Sequence, residues 1–183
     1  MSLLCVSRRS FVSAMAGALF CVAIMLPAGP ASAAAFRIVA LGASNTNGKG
    51  VSGGEAFPAQ IEAMLRANGV DASVSVSATN GDDSSQLLAR VDSSAPDGTA
   101  LVLIEAVQGN DRKAGISDSQ HAANLATIRQ RLAQRKIKSI IVLLRPLPPD
   151  GLQADGEHLT AHGHQAVAAR YLPQVMAALK AAR

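Results

Sequence analysis

Apolar residues recur along this chain at two alternating spacings. Short apolar or period-two runs, which predict strands, are separated by segments with an apolar residue every three or four positions, which predict helices. We predict strands at 36–41, 72–78, 100–107 and 139–144, and helices at 55–68, 84–91, 119–135 and 160–182. Strands that alternate with helices imply right-handed crossovers and a mainly parallel sheet covered on both faces. The pattern therefore predicts one three-layer α/β/α domain.

Polar clusters interrupt the pattern at four places. Three follow predicted strands, at 44–45, 79–83 and 108–111, and the fourth, at 155–158, precedes the last predicted helix. In parallel sheets, ligands bind beyond the carboxyl ends of the strands. We therefore expect a functional site at that edge of the sheet.

The first 33 residues follow a different pattern, which predicts an export signal. The segment begins with Arg8 and Arg9, continues through the apolar residues 14–26, and ends on the small residues Ala31 and Ala33. The two arginines and their neighbours also resemble a twin-arginine signal, which would export a folded protein.

The apolar run of the signal is shorter than the ~20 residues that span a bilayer. We therefore expect cleavage after Ala33 and no stable membrane anchor in the mature protein. The remainder, residues 34–183, is then expected to be periplasmic or secreted.

Composition narrows the classes of partner. Both cysteines, Cys5 and Cys21, lie in the predicted signal, so the mature chain has no thiol for a disulfide, a metal or nucleophilic attack. The net charge is +4, but without Arg8 and Arg9 there remain 15 Lys and Arg against 13 Asp and Glu. Near-balanced charge, no Trp and a single Tyr argue against a nucleic-acid partner.

Ser44 is the candidate nucleophile, because it follows the first predicted strand at a glycine-containing turn that exposes its hydroxyl. A serine hydroxyl needs a base within hydrogen-bond reach and a third group that orients this base. His158 follows Asp155 by three residues in a predicted loop, so the carboxylate can meet one imidazole nitrogen while the other faces the serine.

Attack by a serine on a carbonyl carbon creates an oxyanion, which needs hydrogen-bond donors already in place. The candidate donors are the backbone N–H groups of Ser44 and Gly81 and the side-chain amide of Asn110. This chemistry requires neither a metal nor an organic cofactor.

Four short motifs, taken in order, resemble the four blocks of the SGNH hydrolase superfamily, the GDSL-type esterases and lipases. The motifs are Gly42-Ala43-Ser44-Asn45-Thr46, Asn80-Gly81-Asp82, Gly109-Asn110-Asp111 and Asp155-Gly156-Glu157-His158. Residues 54–58 and the helix after them are similar to the bacterial thioesterase, arylesterase and lysophospholipase branch.

The resemblance implies a flavodoxin-like sheet and an esterase that forms an acyl-serine on small ester, thioester or lipid substrates, or on acylated glycans. It implies that Ser44 is the nucleophile, His158 the general base and later acid, and Asp155 its partner. It also implies an oxyanion hole built by Ser44, Gly81 and Asn110, without a cofactor.

The chain departs from the superfamily pattern in three ways. Ala43 replaces the aspartate of the first block, the segment before Asp155 is short, and one extra residue precedes Gly109. Two alternatives therefore stay open. One is a catalytically weak or inactive envelope domain that binds glycan or lipid, and the other is a polysaccharide O-deacetylase with the same triad.

The same residues also have purely structural interpretations. The turn at Ser44 can be a simple connection, and Asn110-Asp111 can cap a helix. His158, His162 and His164 raise a zinc site, but no second cluster of ligands supports one. Glu105 lies in an apolar strand and needs a partner, for which Arg37 and Arg145 are the candidates.

Overall fold

The computed structural model describes residues 36–181, so the predicted export signal lies outside the described part of the chain. Within this part the chain forms four strands and five α-helices. The strands are β1 (Phe36–Gly42), β2 (Ala72–Ala78), β3 (Thr99–Glu105) and β4 (Lys138–Val142). The helices are α1 (Phe57–Ala67), α2 (Ser84–Ser94), α3 (Gln108–Lys113), α4 (Asp118–Gln134) and α5 (Ala161–Lys180).

All four strands form a single parallel sheet in the order β2-β1-β3-β4. The chain moves from β1 outward to β2, then returns past β1 to β3, so the order reverses beside β1. This order and the helical crossovers confirm the predicted α/β fold with a flavodoxin-like parallel sheet. The reversal opens a crevice at the carboxyl ends of β1 and β3, where Ser44 and Glu105 are found.

Two apolar cores hold the helices on opposite faces of the sheet. Alternate residues of β1 supply them, since Ile38 points to one core and Val39 to the other. Helices α1 and α5 pack on the Ile38 face, and α2 and α4 pack on the Val39 face. Aliphatic side chains such as Ile61 and Ile128, which are fully buried, supply most of both cores. The three-layer arrangement fixes the strand ends that carry the site.

Several element bounds differ from the prediction, among them the end of β4, which lies at Val142 rather than at 144. The third strand ends at Glu105 rather than at 107, and the chain turns at once into the short helix α3, where only a turn was expected. The first helix begins at Phe57, because Glu55 belongs to a separate 3-10 turn in which its carboxylate accepts from the Ser52 N–H at 2.9 Å.

Between residues 36 and 181, none of the helices combines the length and apolar character that crossing a bilayer requires.

Candidate active site

The turn after β1 wraps around one buried carboxylate. Glu105, at the end of β3, is only 3% exposed, and its Oε2 accepts from the Ala43 N–H at 2.8 Å, the Thr46 N–H at 3.1 Å and the Thr46 hydroxyl at 2.6 Å. A Cβ at Gly42 would overlap both Thr46 Oγ1 and this carboxylate, so only glycine fits there. The turn therefore presents Ser44 from a fixed backbone.

The expectation that Arg37 or Arg145 neutralises Glu105 is wrong. Arg37 lies at the opposite end of the sheet and donates to the carbonyls of Asp97 and Gly98. Arg145 follows β4 and donates to the Gly156 carbonyl at 3.3 Å. Instead of an arginine, backbone N–H groups and a hydroxyl group donate hydrogen bonds to the buried Glu105 carboxylate.

Ser44, His158 and Asp155 form one continuous hydrogen-bonded chain. His158 Nε2 lies 3.0 Å from Ser44 Oγ, and His158 Nδ1 lies 2.5 Å from Asp155 Oδ2. The imidazole is largely buried, with 10% of its side chain exposed, whereas Ser44 is half-buried and reachable. A proton on Nδ1 is favoured by the facing carboxylate, and the neutral ring then has Nε2 as an acceptor for the serine hydroxyl.

Asp155 is held as a carboxylate. Its hydrogen bond with the His158 ring, followed by those from the backbone N–H groups of His158 and Glu157, holds the pKa of Asp155 well below its usual range. The two backbone donors reach Oδ1 at 3.0 and 2.9 Å. Hydrogen bonds within the loop thus fix the Asp155 side chain, and its negative charge stays beside the His158 ring at neutral pH.

Asn45 joins the serine turn to the histidine loop. Its Oδ1 accepts from the Leu159 N–H at 2.9 Å, and its Nδ2 donates to the Glu157 carbonyl at 3.4 Å. These bonds flank His158 on both sides along the chain. Asn45 is 8% exposed, so water competes little for them. The distance between Ser44 and His158 is therefore set by a second pair of contacts besides their own.

The three candidate oxyanion donors are placed differently. Ser44 and Asn110 line the same cavity, whereas Gly81 is not part of that lining. The N–H groups of Ser44 and Gly81 have no acceptor among the described residues, so both are available as donors. Asn110 Nδ2 donates to the Asp82 carbonyl at 2.8 Å, and its second hydrogen remains for a ligand.

The turn that carries Gly81 is attached to the serine turn. Gly81 has φ +89°, a left-handed conformation that favours glycine, and Asn80 next to it accepts from Asn47 Nδ2 at 3.0 Å. Arg90 strengthens the same junction, since it bonds Asp82 Oδ2 at 2.9 Å and the Gly42 carbonyl at 2.8 Å. Sequence reasoning did not single out Arg90, because its partners come from three separate segments.

A cavity of about 480 Å³ lies in front of the serine. Its floor includes Glu105 and the serine turn, one side is α3, and the other side is formed by the segment after β4 and the histidine loop. Leu143, which is 55% exposed, and Leu144 give it an apolar patch. The cavity is large enough for a small ester group and opens to solvent.

The histidines that raised a zinc site have separate partners. His162 Nδ1 lies 2.9 Å from Asp150, and His164 Nδ1 accepts from the Phe57 N–H at 3.2 Å. Within residues 36–181, no three potential metal ligands of the His, Cys, Asp and Glu types come together.

The chain contains a second Asp-x-x-His sequence, Asp118 to His121, which lies in α4. Its histidine does not pair with its own aspartate: His121 Nδ1 lies 2.6 Å from Asp111 Oδ2. The other oxygen of Asp111 accepts from the Ser84 N–H at 2.6 Å. Asp111 thus connects α3 with the first turn of α2 and with α4, which is a structural role, and the pair lies outside the serine cavity.

Fold and site together define the class: an α/β protein with a hydrogen-bonded serine, histidine and aspartate beyond the carboxyl ends of its parallel strands. Solved structures with this architecture match the chain. TesA superposes with a TM-score of 0.65 at 23% identity over 80% of this chain and 99% of its own. The esterase EstA from Pseudoalteromonas sp., solved with monoethylphosphonate as inhibitor, has a TM-score of 0.65 at 16% identity, covering 79% and 98%.

AlinE4, an SGNH-hydrolase family esterase, is 30% identical, with a TM-score of 0.53 over 76% of this chain and 71% of AlinE4. No protein-family model and no curated protein matches the sequence. The identity and coverage shared with AlinE4 place the chain in a family. The chain belongs to the SGNH hydrolases, as the four motifs indicated.

Proposed function

We propose that this protein is an ester hydrolase in which Ser44 forms an acyl intermediate. The observation that carries the proposal is the unbroken chain from Asp155 through His158 to Ser44 at the wall of an open cavity. A serine hydroxyl becomes a useful nucleophile only when a base lies within hydrogen-bond reach and is itself oriented. Both conditions are met by side chains from loops that Asn45 holds together.

In the acylation step, Ser44 Oγ attacks the carbonyl carbon and its proton passes to His158 Nε2. The carbonyl π bond becomes a C–O⁻ that the Ser44 N–H and the free hydrogen of Asn110 Nδ2 can stabilise, with Gly81 N–H as the third donor in the family pattern. Collapse of the intermediate breaks the bond to the leaving oxygen or sulfur, which takes the proton from Nε2. Asp155 stays ionised throughout and stabilises the imidazolium.

Deacylation repeats the steps with water as the nucleophile. His158 takes a proton from water, the hydroxide adds to the acyl carbon, and the bond to Ser44 Oγ breaks as the serine regains its proton. The products are a carboxylic acid and an alcohol or thiol. Carboxylic esters and thioesters can both react through this series of steps.

The comparisons support the proposal at two levels. AlinE4 is an esterase at 30% identity, and EstA, which shares the fold, is inhibited by a phosphonate. Phosphonates capture activated nucleophiles, so the same reagent class tests whether Ser44 is activated.

The first experiment is labelling of the purified protein with a fluorophosphonate probe. We expect the wild type to be labelled, Ser44→Ala to be unlabelled, and His158→Gln to be slowed by at least about a thousandfold, because the base is lost. Ser119→Ala, which removes an exposed serine in α4, serves as one control, and His162→Gln, which breaks a His–Asp pair outside the cavity, as the other. Both are expected to label like the wild type.

Folded wild-type protein that resists the probe would argue against catalysis and favour the envelope domain that binds glycan or lipid. If labelling depends on Ser44, a screen of acetylated polysaccharides beside short-chain esters and thioesters decides between the O-deacetylase and the general esterase.

A further inference from the structure

Three basic side chains line the cavity that contains Ser44. Arg112 and Lys113 come from the last turn of α3, and Arg145 follows β4 on the other side. Lys113 is already neutralised, since its Nζ lies 2.6 Å from both carboxylate oxygens of Glu157. This ion pair connects α3 with the histidine loop.

Neither arginine forms an ion pair with any residue between 36 and 181, whereas other arginines of the protein do. Arg90, Arg131 and Arg135 each lie within 3.3 Å of an aspartate oxygen. The guanidinium of Arg145 makes one bond, to the Gly156 carbonyl at 3.3 Å, which holds it beside the histidine loop. Both cavity arginines are exposed.

The carboxylates at the cavity are committed elsewhere. Glu105 is buried beneath the serine turn and accepts three hydrogen bonds there. Glu157 binds Lys113, and Asp155 binds the His158 ring. No carboxylate at the described cavity therefore forms an ion pair with Arg112 or Arg145. The entrance to the serine carries two guanidinium groups that have no ion-pair partner among the described residues.

We propose that Arg112 and Arg145 bind an anionic group of the substrate, a carboxylate, sulfonate or phosphate, close to the ester bond that Ser44 attacks. A guanidinium presents a planar fork of donors that matches such groups, and the walls of a cleft concentrate its field. The inference rests on the proposed esterase function and deepens it by naming the charge of the substrate. The anion can belong to the acyl part or to the leaving group.

Two matched pairs of esters separate these sources. For the leaving group we compare 4-acetoxybenzenesulfonate with the neutral 4-acetoxybenzenesulfonamide. For the acyl part we compare the 4-nitrophenyl monoester of adipic acid with 4-nitrophenyl hexanoate. The measured quantity is the ratio of kcat/KM for the anionic ester over its neutral partner, in wild type, Arg112→Gln and Arg145→Gln. Because each ratio is compared with that of the wild type, intrinsic ester reactivity cancels.

In at least one pair, we expect the kcat/KM ratio of anionic to neutral ester to fall about three- to tenfold in each variant, because an exposed charge is lost. We also expect this ratio to fall in the wild type when salt is raised, because salt screens the same charge. The pair that responds identifies the source of the anion. Arg129→Gln removes an arginine that is also exposed, from α4 at a separate cavity, and is expected to leave both ratios and activities unchanged.

Unchanged ratios in both arginine variants, with the neutral esters still cleaved in a Ser44-dependent way, would overturn the anion site and leave the esterase standing. If wild-type protein cleaves none of the four esters and Ser44 resists the fluorophosphonate, the esterase proposal fails and the anion site fails with it. Equal losses in Arg112→Gln and Arg129→Gln would trace the effect to overall charge and also overturn the site.

Discussion

At the scale of single residues, Glu105 supplies the support that the nucleophile turn lacks at position 43. One carboxylate oxygen accepts three hydrogen bonds from the two residues on either side of the Ser44-Asn45 pair. Charge-assisted bonds of this kind are about twice as strong as neutral ones. In this chain Glu105 therefore holds the turn from below without a side-chain acceptor at position 43.

This support predicts the behaviour of Glu105→Gln. The amide keeps the shape and one acceptor oxygen but loses the charge that strengthens all three hydrogen bonds, so we expect fluorophosphonate labelling to slow about tenfold and the free energy of unfolding to fall by about 1–3 kcal/mol. Glu62→Gln is the matched control, because Glu62 also accepts a backbone N–H, from Val74 at 2.8 Å, but far from the cavity. It is expected to lose stability and keep its labelling rate.

If the fluorophosphonate labelled Glu105→Gln as fast as Glu62→Gln, the charge of Glu105 would not be needed to position Ser44.

The residues of the triad could be predicted from sequence, but the partners of Glu105 could not. Ser44, Asp155 and His158 lie in short motifs whose types and order are informative by themselves. The partners of Glu105 depend on the register of β1 against β3, which pairs Leu41 with Ile104 and so brings Glu105 beside the glycine turn. Local spacing contains no information on that register, and a charged partner was therefore expected.

At the scale of elements, the prediction succeeded where apolar periodicity was long and failed where tertiary contacts decide. The bounds of β2 agree with the sequence prediction, whereas α3 was missed. Helix α3 has six residues, several of them typical of turns, and it is held by the bonds of Asn110 to Asp82 and of Asp111 to Ser84 and His121. Such a helix has no periodicity to detect.

The junction of α1 and α5 gives an element-scale prediction. Ala56, at the N-cap of α1, offers no side-chain acceptor, and His164 Nδ1 in the first turn of α5 accepts from the Phe57 N–H in its place. The ring is fully buried, and no described group lies within hydrogen-bond distance of Nε2. Burial lowers the pKa of His164 to about 4, against the weaker opposing effect of Glu55.

A lowered histidine pKa means that the unfolded chain takes up a proton, near pH 6.5, before the folded chain does. Stability contributed by the neutral ring is therefore complete above pH 6.5 and is lost as the pH falls toward 4. We expect wild type to lose about 2 kcal/mol more of its free energy of unfolding between pH 7 and pH 5 than His164→Gln, whose amide oxygen can still accept from Phe57.

Urea unfolding of both proteins at the two pH values measures this difference. His162→Gln removes an exposed histidine from the same helix and is expected to keep the wild-type loss. If wild type and His164→Gln lost equal free energies of unfolding between pH 7 and pH 5, protonation of His164 would not contribute to the pH dependence of stability. The carboxylates with lowered pKa, such as Asp155, lose their contribution only at lower pH, so they do not obscure the test.

At the scale of the whole molecule, residues 1–33 remain the part for which sequence is the only guide. We propose that they direct export and are removed after Ala33, with Arg8 and Arg9 selecting the twin-arginine route. In a Gram-negative host we expect a periplasmic protein whose intact mass begins at Ala34. Replacing both arginines by lysine is expected to leave the precursor in the cytoplasm.

A periplasmic or membrane-bound product of full length would contradict cleavage. Normal export of the variant with lysine at positions 8 and 9 would assign the general secretory route and would not affect the proposed cleavage site.

Ser44 and His158 stand 114 positions apart, one near each end of the described chain. A growing chain that has placed β1, β2 and β3 still lacks its base, and the helix that follows His158, α5, supplies much of the core on one face of the sheet. The proposed activity therefore starts only after α5 has been made and has docked. Turnover is then an assay of the finished fold, and a product that ends before His158 is inactive even though it contains Ser44.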